Sequence, residues 1–128
     1  MDERRKAPRK QTDDFFGIYN RETDEFIGKL LDLSAKGMMI SALDSMETKT
    51  TYEIRIIFPK PIEGKNMLTF DAECVWCSES HDPNKKYNAG FHIIDINSKD
   101  VETIKNLLNN ALFYDEEQPR MTLAKKST

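Results

Sequence analysis

A chain of 128 residues has room for one domain with its own hydrophobic core and not for two ordinary ones. Its apolar share is 38% and no apolar run exceeds four residues, the length of Cys74-Val75-Trp76-Cys77, which predicts neither a membrane-spanning segment nor a secretory leader. Two cysteines cannot build a disulfide framework, so the chain reads as a cytoplasmic protein in a reducing compartment.

Charge is informative once it is split by position. Residues 1–10 hold five Lys/Arg against two Asp/Glu, or +3, and the other 118 hold 14 against 20, or −6. A basic arm on an acidic body argues against a general nucleic-acid surface, which spreads positive charge over a face. It suits a small, local anion.

In chain order, residues 1–12 have almost no apolar content and read as a mobile arm. Phe15 to Tyr19 is a short strand-like run, and Asn20-Arg21-Glu22-Thr23-Asp24 is a polar connector. Phe26 to Leu33 and Met38 to Ser41 are further apolar runs. From Tyr52 to Phe58 apolar residues alternate with polar ones, as in a half-buried strand, until Pro59-Lys60-Pro61-Ile62-Glu63-Gly64 breaks it. Leu68, Phe70, Ala72, Cys74 and Trp76 then recur with period two, which puts Trp76 in the core. A loop over 78–86 precedes a last long strand carrying Tyr87, Ala89, Phe91 and Ile93. After Asn97 the period changes: Val101, Ile104, Leu107, Leu108, Ala111 and Leu112 form one helical stripe, with Asn97 or Ser98 placed to cap it. About six strands and one helix predict a mainly β fold, a small antiparallel barrel closed by a C-terminal helix. The arm spans 1–12, the barrel and helix 13–113, and a polar, frayed tail 114–128.

Two constellations carry chemistry. In Arg4-Arg5-Lys6-Ala7-Pro8-Arg9 the proline forbids a regular helix, so Arg5 and Arg9 can project from one side of an extended arm. A guanidinium binds phosphate, or the O6/N7 edge of guanine, with a planar fork, and it stacks on flat rings. In Asp32-Leu33-Ser34-Ala35-Lys36-Gly37 a strand places Asp32 and Ser34 on one face and Leu31 and Leu33 on the other, while Gly37 can take positive φ and turn the chain back. A carboxylate there accepts from guanine N1–H and its exocyclic amine. Read alone, each has a bland alternative: a solvated basic tail, and an ordinary hairpin with a glycine bulge.

Together, Arg5-Lys6-Ala7-Pro8-Arg9 and Asp32-Leu33-Ser34-Ala35-Lys36-Gly37 resemble the RxxxR and D/NxSxxG motifs of the PilZ domain, the bacterial receptor module for cyclic di-GMP. The resemblance extends over roughly residues 4–113. Gly90-Phe91-His92-Ile93 resembles the family's glycine-containing last strand, with Ile93 where an aromatic is common. It implies that Arg5 and Arg9 bind phosphate and the Hoogsteen edge of guanine, that Asp32 and Ser34 contact a guanine, and that Gly37 shapes the turn. Arg4, preceding the pair, is suited to a self-intercalated dimer of the ligand, hence two molecules per chain. The resemblance implies a non-enzymatic effector without cofactor or metal. Its arm closes on the ligand and changes a surface for an unidentified protein partner, in motility, adhesion or exopolysaccharide control. The alternatives are a PilZ-like interaction module that binds no nucleotide, and a thiol or zinc protein using Cys74 and Cys77. Against the latter, cysteines three apart in a regular strand face opposite sides, and only His81 and His92 are available as further zinc ligands.

Overall fold

The structure, a computed structural model, describes residues 9–84 and 86–115. Eight strands and one helix follow in the order β1 (Lys10–Gln11), β2 (Gly17–Asn20), β3 (Phe26–Leu33), β4 (Gly37–Ala42), β5 (Thr51–Ile62), β6 (Lys65–Glu79), β7 (Tyr87–Asp95), α1 (Ser98–Leu108) and β8 (Tyr114–Asp115). All strand pairs are antiparallel. The order β2-β5-β6-β7-β4-β3 closes on itself through a β2–β3 pairing, a six-stranded barrel with β1 and β8 added beyond β3. Closure satisfies the barrel strands along both edges. Among the described residues no helix is long and apolar enough to cross a membrane.

The alternation seen in the sequence fills the barrel. Ile54 and Ile56 from β5, Leu68, Phe70, Ala72 and Cys74 from β6, and Ala89, Phe91 and Ile93 from β7 are all buried. Helix α1 adds Ile104 and Leu107 to the same core. Asn97 starts the helix by accepting the Asp100 N–H at 2.8 Å through its side chain, one of the otherwise orphaned amides of a first turn. The helix ends at Leu108. Ala111 and Leu112, part of the same apolar stripe, lie in the turn beyond it, where Phe113 packs on Phe16 with ring centroids 5.0 Å apart.

Four local features differ from the regular reading. The Pro59–Gly64 stretch does not end β5: the strand runs on to Ile62 and turns over Glu63 and Gly64, both at positive φ (52° and 77°). Pro59 and Pro61 fall where the β5–β6 register slips between Ile57 and Ile62, a place that needs no ladder donor from them. In β3 the register shifts between Leu30 and Asp32, so Leu30 rather than Leu31 shares the core with Leu33. In β6 it shifts between Cys74 and Trp76, with consequences described below.

The fourth is at the foot of the arm. Lys10 and Gln11 pair with Leu33 and Asp32 on one side and with Asp115 and Tyr114 on the other. Thr12 is buried, its Oγ1 donating to the Leu112 carbonyl at 2.7 Å and accepting the Asp14 N–H. Short polar residues thus anchor this stretch by hydrogen bonding, a signal that apolar periodicity does not carry. Arg21, from the polar connector, donates to the Ile54 and Phe70 carbonyls and pairs with Glu53 and Asp71, lacing β2 to β5 and β6.

Candidate ligand site

The outer face of the barrel carries a hollow of about 320 Å³ where β4, β6 and β7 run side by side. Its floor is a small grid of cross-strand neighbours. Met39, Gly90 and Trp76 lie in one row, and Gly37 and His92 in the next. Two of the central positions are glycines, which is why there is a depression at all. A Cβ on Gly37 would stand 2.6 Å from the Phe91 carbonyl oxygen, and one on Gly90 would stand 2.1 Å from the Trp76 indole nitrogen. Gly37 therefore serves close backbone approach and not the left-handed turn expected of it, since Gly64 is the positive-φ glycine of the described chain.

The turn after β3 forms one rim. Ser34 Oγ accepts the N–H groups of Lys36 and Gly37, both at 3.1 Å, and the Ser34 N–H donates to the Gly37 carbonyl at 2.8 Å. The hydroxyl, 5% exposed as a residue, is thereby committed to the turn, which holds Lys36 at the hollow. Arg9 stands beside this turn, on the same rim, because Lys10 pairs with Leu33. Its Nε lies 3.6 Å from Asp32 Oδ1, and the two side chains differ sharply in exposure, 61% for the arginine and 4% for the carboxylate. A buried carboxylate thus lies within ion-pair distance of an exposed guanidinium that lines the hollow. Arg9, Ser34 and Gly37 line the hollow directly, and Asp32 sits behind Arg9. Arg4 and Arg5 lie outside the described residues.

Trp76 and Val75 form the opposite wall. The period-two reading places Trp76 in the core, yet it is 42% exposed. The cause is a β-bulge: Cys74 pairs with Phe91 but Trp76 pairs with Gly90, so two β6 steps oppose one on β7 and the phase of the strand flips. Val75 and Trp76 both face out. The same flip turns Cys77 back toward the barrel, where its Sγ accepts the Met46 N–H at 3.4 Å. The two thiols therefore share a side, contrary to the regular-strand expectation. Burial pushes the Cys74 thiol pKa up and neighbouring Cys77 pushes it the same way, the opposite of what activates a redox cysteine. Among the described residues no group of three His, Cys, Asp or Glu side chains is placed to hold a metal ion.

The family model of the PilZ domain matches residues 3–110. The chain belongs to the PilZ domain family. No curated protein is similar enough to count as a relative. Among solved structures, the PilZ domain with c-di-GMP of YcgR from Escherichia coli superposes with a TM-score of 0.66 at 16% identity, covering 96% of this chain and 99% of that one. The inhibitor of motility MotI/DgrA of Bacillus subtilis gives 0.64 at 17% identity, over 84% of this chain and 53% of its own. The MrkH–c-di-GMP complex of K. pneumonia gives 0.64 at 15%, over 98% and 56%. The chain thus spans about half the length of the latter two. At these identities the likeness is one of fold.

Proposed function

We propose that the chain is a cyclic di-GMP receptor and not an enzyme, acting in the cytoplasm through a protein partner. The observation that carries this reading is the exposed Arg9 guanidinium, held by buried Asp32 at the rim of a glycine-floored hollow. Membership of the PilZ family supports it, as do similar folds described with c-di-GMP. In this reading Arg5 and Arg9 take a phosphate and the O6/N7 edge of a guanine, and Asp32 accepts from N1–H and the exocyclic amine. Ser34 acts through the turn it closes, Gly37 leaves the floor open, and Trp76 offers a ring on which a base can stack. Arg4 adds a third guanidinium for a second, intercalated ligand molecule.

The arm, residues 1–12, closes from its anchored foot over the hollow of the barrel unit 13–113, and the covered face is what a partner senses. Motility, adhesion and exopolysaccharide output are the processes such a switch serves. Calorimetric titration tests the reading: cyclic di-GMP binds near two per chain, and Arg4→Leu moves the ratio toward one. Cyclic di-AMP, whose adenine edges reverse the donor and acceptor pattern, binds far more weakly. Equal affinity for the two dinucleotides overturns the assignment.

A further inference from the structure

Among the described residues that line the hollow, His92 is the one histidine. It projects from β7 on the outer face, exposed, directly across from Gly37 on β4 and Glu73 on β6. Gly37 puts no side chain at the β4 position facing the imidazole, and His92 lines the same hollow as Arg9 and Lys36. The geometry points to His92 as a further ligand contact, an imidazolium that donates to a phosphate oxygen of the bound nucleotide and makes binding pH-dependent. This rests on the receptor reading given above.

The charges around it decide the sign. Arg9 and Lys36 line the same hollow and draw an anion toward the imidazole. Glu73 is the facing acid on β6, with Asp71 one outward position further along, and Asp95 lies on β7 itself. Carboxylates and phosphodiesters as chemical classes keep their charge across the neutral range. Imidazole is the side chain that changes charge there. A bound phosphate favours the protonated ring, so ligand binding takes up a proton. The gain is present in full at pH values where the free ring is already protonated. It is lost as pH rises through the titration of the ring in the complex.

The test is calorimetry with cyclic di-GMP from pH 5.5 to 8 at fixed salt, in two buffers of different ionisation enthalpy so that proton uptake is read directly. Affinity should fall about five- to tenfold across that range, as for loss of one charge-assisted contact, with uptake of protons near neutral pH. His92→Gln should flatten the profile, while Arg9→Ala weakens binding at every pH and keeps the slope. The wild-type chain gives a second readout that needs no variant. It has two histidines, and saturation with ligand should raise the titration midpoint of the His92 ring by NMR while leaving that of His81 in place. Tight binding with a flat profile and an unmoved His92 midpoint overturns this inference and leaves the receptor reading standing. A slope that survives in His92→Gln also overturns it, and no binding at any pH overturns both.

Discussion

The indole of Trp76 lies on Gly90 so closely that a single added carbon at Gly90 would stand 2.1 Å from its ring nitrogen. The contact seats the chain's one tryptophan as a wall of the hollow, and this makes it a natural reporter. Ligand stacked on that ring should quench and shift its emission. Titration with cyclic di-GMP should therefore give a saturable fluorescence change, and Trp76→Ala should weaken binding about tenfold, the scale of one lost base–aromatic stack. An unchanged spectrum at saturation would place the ligand away from this wall.

Arg9 and Asp32 should separate binding from stability. Arg9 is 61% exposed at its side chain, so Arg9→Ala should leave the unfolding free energy within about 1 kcal/mol while weakening cyclic di-GMP by at least about tenfold. Calorimetry and urea denaturation on the same preparation check both halves. A lost cooperative transition in Arg9→Ala would make the residue structural.

The glycines should fall in a definite order. A Cβ on Gly28 would meet the Ser41 carbonyl oxygen at 1.9 Å and one on Gly37 the Phe91 carbonyl oxygen at 2.6 Å, both backbone atoms of a paired strand. At Gly90 the obstacle is a side chain that can swing away. Gly28→Ala should thus cost most and Gly37→Ala next, on the order of 2–3 kcal/mol for forced overpacking. Gly90→Ala should cost least in stability and act mainly on affinity, by displacing Trp76. Urea midpoints rank the three.

The cysteines should differ in reactivity. Cys74 is buried, and burial, followed by the nearby Cys77, pushes its thiol pKa up from 9.0. Iodoacetamide at pH 8 should label Cys77 well before Cys74 in the folded protein, as read by peptide mass spectrometry, with both labelled in urea. A thiol pKa raised in the folded state also means that the folded chain holds this proton longer than the unfolded chain does. Stability from this group is therefore intact below the ordinary thiol range and lost as pH rises above it. Cys74→Ala should flatten that alkaline loss in denaturation curves.

The parts of the fold readable from sequence are those where side-chain period and backbone geometry agree. Ile54 and Ile56 alternate on β5, Leu68 to Cys74 alternate on β6, and the stripe through Ile104 and Leu107 marks the helix. Asp32 to Gly37 was legible as a turn with a required glycine, although steric approach by Phe91 and not positive φ is the reason. What period cannot report is a one-residue insertion in the ladder. The bulge between Cys74 and Trp76 leaves no mark on composition, yet it moves Trp76 from core to wall and Cys77 from outside to inside. The tethering of Thr12 to the Leu112 carbonyl was equally silent, because a threonine a hundred positions from its partner has no local signature.

The two-rung ladder of β1 with β8 has a mechanical consequence. Lys10 pairs with Asp115, its Nζ 3.9 Å from the carboxylate, and Gln11 with Tyr114. Because the strands are antiparallel, the chain leading back to Arg9 and the chain leading on from Asp115 leave from the same rung, about 5 Å apart. A pull on the arm toward the hollow loads that rung at its open end, the direction in which a zipper parts tooth by tooth.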